Sequence, residues 1–116
     1  MIRAELEKDA HSFTLHISGH AGLAPKGEDL VCAAVSALVY GLDGYVTALE
    51  KEGFVLPDTR VQMSSGRAEI CLCPESQARE QSGGAFALAA EMLAVLGKHF
   101  PENIHFTEKR RTINDN

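Results

Sequence analysis

The chain has 116 residues, of which 45% are hydrophobic and 23% charged, with a formal net charge of −5. This is the composition of one globular domain of ordinary size, and its net charge argues against unspecific attraction to nucleic acid, which needs clustered cations. With only three cysteines, no leader-like apolar core after Met1 and no apolar run expected to approach the roughly 20 residues of a bilayer span, the reading is a cytoplasmic protein without a disulfide framework or a membrane partner.

From the N-terminus, Ile2, Ala4 and Leu6 alternate with Arg3, Glu5 and Glu7, and Phe13, Leu15 and Ile17 repeat the pattern after a turn at Lys8-Asp9-Ala10-His11. Period-two alternation on both sides of a turn predicts a hairpin. By parity His16 points away from the Phe13 face, as an ordinary exposed strand residue. The second strand ends at Gly19-His20, and a loop punctuated by Gly22, Pro25 and Gly27 follows. Asp29 has the chemistry of an N-cap, so a helix is expected to open there. It should run to about Lys51 on the stripe Leu30, Val31, Ala34, Val35, Leu38, Leu42, Val46 and Leu49, with Gly53 as its stop. Val31 to Val39 lacks charge around the whole helix, which predicts deep burial or cover by a partner. Gly41 and Gly44 weaken the middle by roughly 1 kcal/mol each relative to alanine, so a close packing contact is expected there.

Phe54 to Asp58 is a connector. A second hairpin follows, with Thr59, Val61 and Met63 leading through Ser64-Ser65-Gly66-Arg67 to Ala68, Ile70 and Leu72, while Glu69, Cys71 and Cys73 share the opposite face. Pro74 to Gly84 reads as a polar, flexible entry to a second helix, whose apolar face is Ala85, Leu88, Ala89, Met92, Val95 and Leu96 and which ends near His99 before Pro101. A short strand at Ile104 and Phe106 closes the domain, 1–108, and residues 109–116, including the basic Lys109-Arg110-Arg111, read as a solvated polar tail. The order ββαββαβ predicts an α+β two-layer sandwich, a mixed or antiparallel five-stranded sheet with two helices. Its open sheet face and the first half of the long helix are the places expected to carry a dimer contact.

Chemistry concentrates where the second strand gives way to the long helix. A helix opening at Asp29 puts Cys32 in its first turn, where unpaired amides favour an anion. His20 is separated from Cys32 only by the pliable loop. A thiolate attacks a peptide carbonyl, and one imidazole can serve as base for the thiol and then as acid for the leaving amine. Cys32 is therefore the candidate nucleophile and His20 its general base and acid, with helix-start amides, including that of Cys32, receiving the oxyanion. Asp29 either caps the helix or orients His20. Ser36, one turn after Cys32, either lines the cleft, supports the cysteine, or bonds back to the Cys32 carbonyl. Gly19, Gly22 and Gly27 supply backbone freedom, and Leu23 to Lys26 form the expected substrate-facing lid. No cofactor is expected. The rival readings are a structural zinc held by Cys71 and Cys73 with Cys32 and His20, whose spacing is poor for paired ligands, and a noncatalytic binding module.

Gly19-His20-Ala21-Gly22, then Gly27, then Asp29-Leu30-Val31-Cys32-Ala33-Ala34-Val35-Ser36-Ala37-Leu38 resembles the signature of the ribosomal-processing cysteine proteases called Prp, as do the chain length and the order of elements. The resemblance implies His20 and Cys32 as the catalytic pair and a homodimer. It also implies, as peptide substrate, the N-terminal extension of ribosomal large-subunit protein twenty-seven.

Overall fold

A computed structural model describes residues 1–19 and 26–110, with side chains beyond Gly19 from residue 30 onward. The chain runs β1 (Ile2–Lys8), β2 (Phe13–Ser18), α1 (Lys26–Lys51), β3 (Arg60–Ser64), β4 (Arg67–Leu72), a 3-10 turn (Ser76–Ala78), α2 (Arg79–His99) and β5 (Ile104–Arg110). The five strands form one mixed sheet in the order β3-β4-β2-β1-β5, and this is the expected ββαββαβ sandwich. Both hairpins form as the alternation predicted: Lys8 pairs with Phe13 and Ser64 with Arg67 across their turns. The sheet becomes mixed at β5, which lies parallel to β1 with Ile2 opposite Ile104.

Alternation sorts the two sheet faces. Ile2, Ala4, Leu6, Leu15, Ile70 and Leu72 are buried beneath the helices. The opposite face is polar and carries ion pairs from Glu69 to Arg60 (3.0 Å) and His16 (3.8 Å) and from Lys109 to Glu5 (3.5 Å). The β1–β2 turn is held by Asp9, whose carboxylate accepts the amides of His11 and Ser12 at 2.8 Å each. Burial pushes this carboxyl up, but the His11 amide, the Ser12 hydroxyl and the Ser12 amide outweigh it and hold Asp9 below its ordinary value.

The helices depart from expectation in phase and in extent. α1 buries Val31, Val35, Leu38, Val39, Leu42, Val46 and Leu49, while Ala33, Ser36 and Ala37 within the uncharged stretch, and Leu30 and Tyr40 beside it (60% and 68%), are exposed, so a single copy of the chain buries only one side of it. Gly41 and Gly44 have open space where a side chain would stand, so no close contact explains them. From Leu30 to Lys51 the helix is 22 residues long and apolar enough, by length and composition, to cross a membrane. The expectation of no such run fails, because the stripe that packs on this sheet is hard to distinguish by hydropathy from a span. α1 ends in a Schellman motif, with Phe54 N–H bonded to the Leu49 carbonyl (2.9 Å) and Gly53 N–H to that of Glu50 (3.0 Å).

α2 opens at Arg79, not after Gly84, so the supposed flexible entry is helical. Its buried residues are Ser82, Phe86, Ala89, Ala90 and Leu93, whereas Leu88, Met92 and Val95, expected in the core, are exposed. Phe86 decides this phase: it is fully buried and stacks on Phe13 with ring centroids 5.2 Å apart. Ser82, with no exposed surface, shares a hydrogen bond of 3.2 Å with the Tyr45 hydroxyl. At the other end, β5 extends through Lys109 and Arg110, residues expected in the tail.

Candidate active site

The second strand is followed by a sharply constrained backbone position. Gly19 has φ +97°, and its N–H donates to the Gly66 carbonyl at 2.9 Å. A Cβ placed there would run into the Met1 carbonyl oxygen, so only glycine fits. The register Ser18↔Arg67 brings the β3–β4 turn to this strand end, and Gly19 is clamped between that turn and the N-terminal residue.

A cavity of about 200 Å³ opens beside the clamp. Its floor is Ile2, Ile17 and Gly19, one wall is the face of α1 bearing Cys32, Ser36 and Tyr40, and the other is the hairpin with Met63, Ser64 and Arg67. Cys32 is half-buried and packs against the core cluster. Ser36 shares its cavity, as the one-turn spacing predicted. The alternative for Ser36, a hydroxyl bonded back to the Cys32 carbonyl, is not found among the described residues.

Two expectations change with the start of α1. The helix begins at Lys26, three residues before Asp29, so Asp29 lies inside the first turn and cannot be the N-cap, and Gly27 is a helical residue, not part of the loop. Cys32 consequently sits in the second turn. There its own amide is committed to the carbonyl four residues back and is unavailable as an oxyanion donor; the unpaired amides belong to the turn before it. Proline at position 25 was the sequence signal, since it suits the opening of a helix better than its interior. His20, Gly22 and Leu23, with the rest of the proposed lid up to Pro25, lie outside the described residues, as do the side chains of Lys26 and Asp29.

The zinc reading fails on geometry. Cys71 lies on the open sheet face, where the Thr14 hydroxyl donates to its sulfur at 3.4 Å, while Cys32 lies on the helix-covered side, so the sheet separates them. Burial first, and then the neighbouring Cys71, pushes the Cys73 thiol up to about 11, an environment that keeps the proton on sulfur. Sequence reasoning missed Tyr40, Met63 and Arg67 as cavity residues. Parity put Met63 on the helix-covered face, but its meeting with Cys32 depends on the β2–β4 register, and no local pattern encodes that.

Comparison with known proteins extends this geometry. Among solved structures, SMU.848 from Streptococcus mutans superposes with a TM-score of 0.69 at 23% identity, covering 96% of both chains. The essential ribosomal processing protease Prp from S. aureus, solved in complex with a substrate peptide, gives 0.64 at 19% identity, covering 94% of this chain and all (100%) of that one. The same S. aureus protease with a covalently linked product peptide gives 0.63 at 21% identity over the same shares of 94% and 100%. These likenesses establish the fold. No curated protein matches the sequence. The model of one family, the cysteine protease Prp, matches residues 1–105, nearly the whole chain that builds the sheet, both helices and the Cys32 cavity. The chain therefore belongs to that family and is a cysteine protease.

Proposed function

We propose that the protein is an endopeptidase that removes the N-terminal extension of ribosomal large-subunit protein twenty-seven, with Cys32 as nucleophile and His20 as general base and then acid. The observation that carries this reading is the shared cavity: Cys32 lines it, and so does Gly19, to which His20 is directly bonded.

The chemistry then runs in two halves. His20 takes the thiol proton as sulfur attacks the scissile carbonyl, and the tetrahedral intermediate collapses when the imidazolium gives that proton to the departing amine. This leaves a thioester on Cys32. Water, deprotonated by His20, attacks the thioester and releases the acid product with the proton returned to sulfur. Oxyanion donors are sought in the unpaired amides of the first α1 turn and not in Cys32 itself. The S. aureus relative carrying a covalently linked product peptide fits a mechanism with a covalent intermediate. The resemblance further supports a homodimer, and a cytoplasmic location remains part of the proposal.

Incubation with a precursor bearing the extension, followed by mass spectrometry, tests the proposal. Loss of a defined N-terminal peptide is expected with the unaltered protein and not with Cys32→Ser or His20→Ala. Equal processing by the three proteins would remove Cys32 and His20 from the mechanism, and processing by none of them would leave the noncatalytic assembly module as the better reading.

A further inference from the structure

The edge of the sheet nearest the cavity has backbone groups that the fold leaves unpaired. β3 is the outermost strand on its side. The hairpin closes at Ser64↔Arg67 around a two-residue loop, and Gln62 and Arg60 face Glu69 and Cys71. In an antiparallel pair closed by a two-residue turn, the closing residue and every second residue before it bond inward, and the residues between them turn their N–H and C=O outward. Those residues are Val61 and Met63. Neither has a further backbone hydrogen bond among the described residues, and no strand, helix or loop among them pairs with this edge.

This open edge leads into the Cys32 cavity, because Met63 and Ser64 form its wall opposite Cys32 and Ser36. The side chains of Val61 and Met63 share the helix-covered face with their partners Ile70 and Ala68. A strand laid beside β3 therefore directs every second side chain toward the flank of α1, where Tyr40 is 68% exposed. The alternate side chains point toward the polar sheet face, near Gln62 and Arg67. Exposed edges with free amides and carbonyls are templates for an added strand.

We propose that the substrate peptide binds in extended form as a sixth strand on the open edge of β3. Val61 and Met63 hold its backbone, and their repeat of about 6.8 Å, two residues of antiparallel strand, sets the register that brings one peptide bond to Cys32. The inference rests on the protease reading of the cavity and adds how the substrate is held. The backbone supplies alignment, and the cavity reads alternate side chains.

A synthetic peptide spanning the cleaved junction, N-methylated at one amide at a time, tests the proposal. Cleavage by the unaltered protein and binding to Cys32→Ala are both measured. Methylation at every second amide on one side of the junction is expected to reduce affinity and kcat/KM by about tenfold, with the intervening positions changing little. Met63→Pro, which removes an outward N–H at an edge position that tolerates proline, should reduce kcat/KM for the peptide by about tenfold. The alkylation rate of Cys32 by a small thiol reagent should be retained. Should Met63→Pro fail to fold, the methylation series decides alone. Cleavage indifferent to the position of the methyl group would overturn the added strand and leave the protease reading intact. A peptide neither bound nor cleaved would overturn both.

Discussion

Replacing Gly19 with alanine loads two separate strains onto one residue, and a second glycine allows them to be measured apart. At φ +97° an L-residue loses roughly 1–2 kcal/mol against glycine. The new Cβ also meets the Met1 carbonyl oxygen. Met1 cannot withdraw freely, because Ile2 is 2% exposed and its N–H is bonded to the Asn103 carbonyl at 2.8 Å. Relief of that overlap therefore disturbs the β1–β5 junction, at a cost of roughly 1–3 kcal/mol by analogy with overpacked cores. The sum, about 2–5 kcal/mol, corresponds to a fall in Tm of roughly 8–20 °C for a domain of this size. Gly53 has φ +78° with nothing within 4 Å of the added atom, so Gly53→Ala bears the backbone strain alone and should fall by roughly 4–8 °C. Calorimetry or circular dichroism of the two variants, run beside the parent, reads the difference directly. Equal falls for the two substitutions would refute the argument, because the carbonyl contact at Gly19 would then carry no energy. The same variants separate in the peptide-cleavage assay, since only Gly19→Ala displaces the attachment point of His20.

Phe86→Ala removes a side chain with no exposed surface that stacks on Phe13 at 5.2 Å; chemical denaturation should show a loss of about 3–5 kcal/mol. Asp9→Ala deletes the acceptor for the His11 and Ser12 amides and should lose about 1 kcal/mol at neutral pH. Because its folded-state value lies below the ordinary 3.8, that stability is present above the ordinary value and disappears as pH falls through the folded one, so parent and variant should converge in acid. Cys73, raised from an ordinary 9.0 to about 11, holds its proton more tightly in the folded state. Its stabilising contribution is complete below pH 9 and lost between 9 and 11. Alkylation of the folded protein, mapped by mass spectrometry, should leave Cys73 largely unmodified at neutral pH and modify it toward the upper end of that window.

Most of the sheet was legible because period-two alternation assigns each strand residue to a face, and Ile2, Leu15 and Ile70 obeyed it. The helices were harder for a physical reason. α2 carries apolar residues on several sides, so periodicity admits more than one phase, and the bulk of Phe86 against Phe13 selects among them. Ser82-Gly83-Gly84 looked like a flexible linker because intrinsic propensity disfavours helix there, yet Ser82 is buried and bonded to Tyr45, and packing overrides propensity. At the site, Cys32 and Ser36 were readable from a one-turn spacing. Tyr40, Met63 and Arg67 were not, because their proximity depends on strand register and on where α1 crosses the sheet. The same holds for the outward amides of β3, which a sequence shows only once the order of strands is known.

The parallel pairing of β1 with β5 joins strands separated by almost the whole sequence, with Ile2 opposite Ile104. Contacts that distant are made late, since the intervening chain must first be ordered. Ile2 is also part of the floor beneath Cys32, and its N–H is anchored by Asn103. During synthesis the Cys32 cavity thus cannot be finished until β5 has left the ribosome, and a nascent copy stays without its complete cavity by order of assembly.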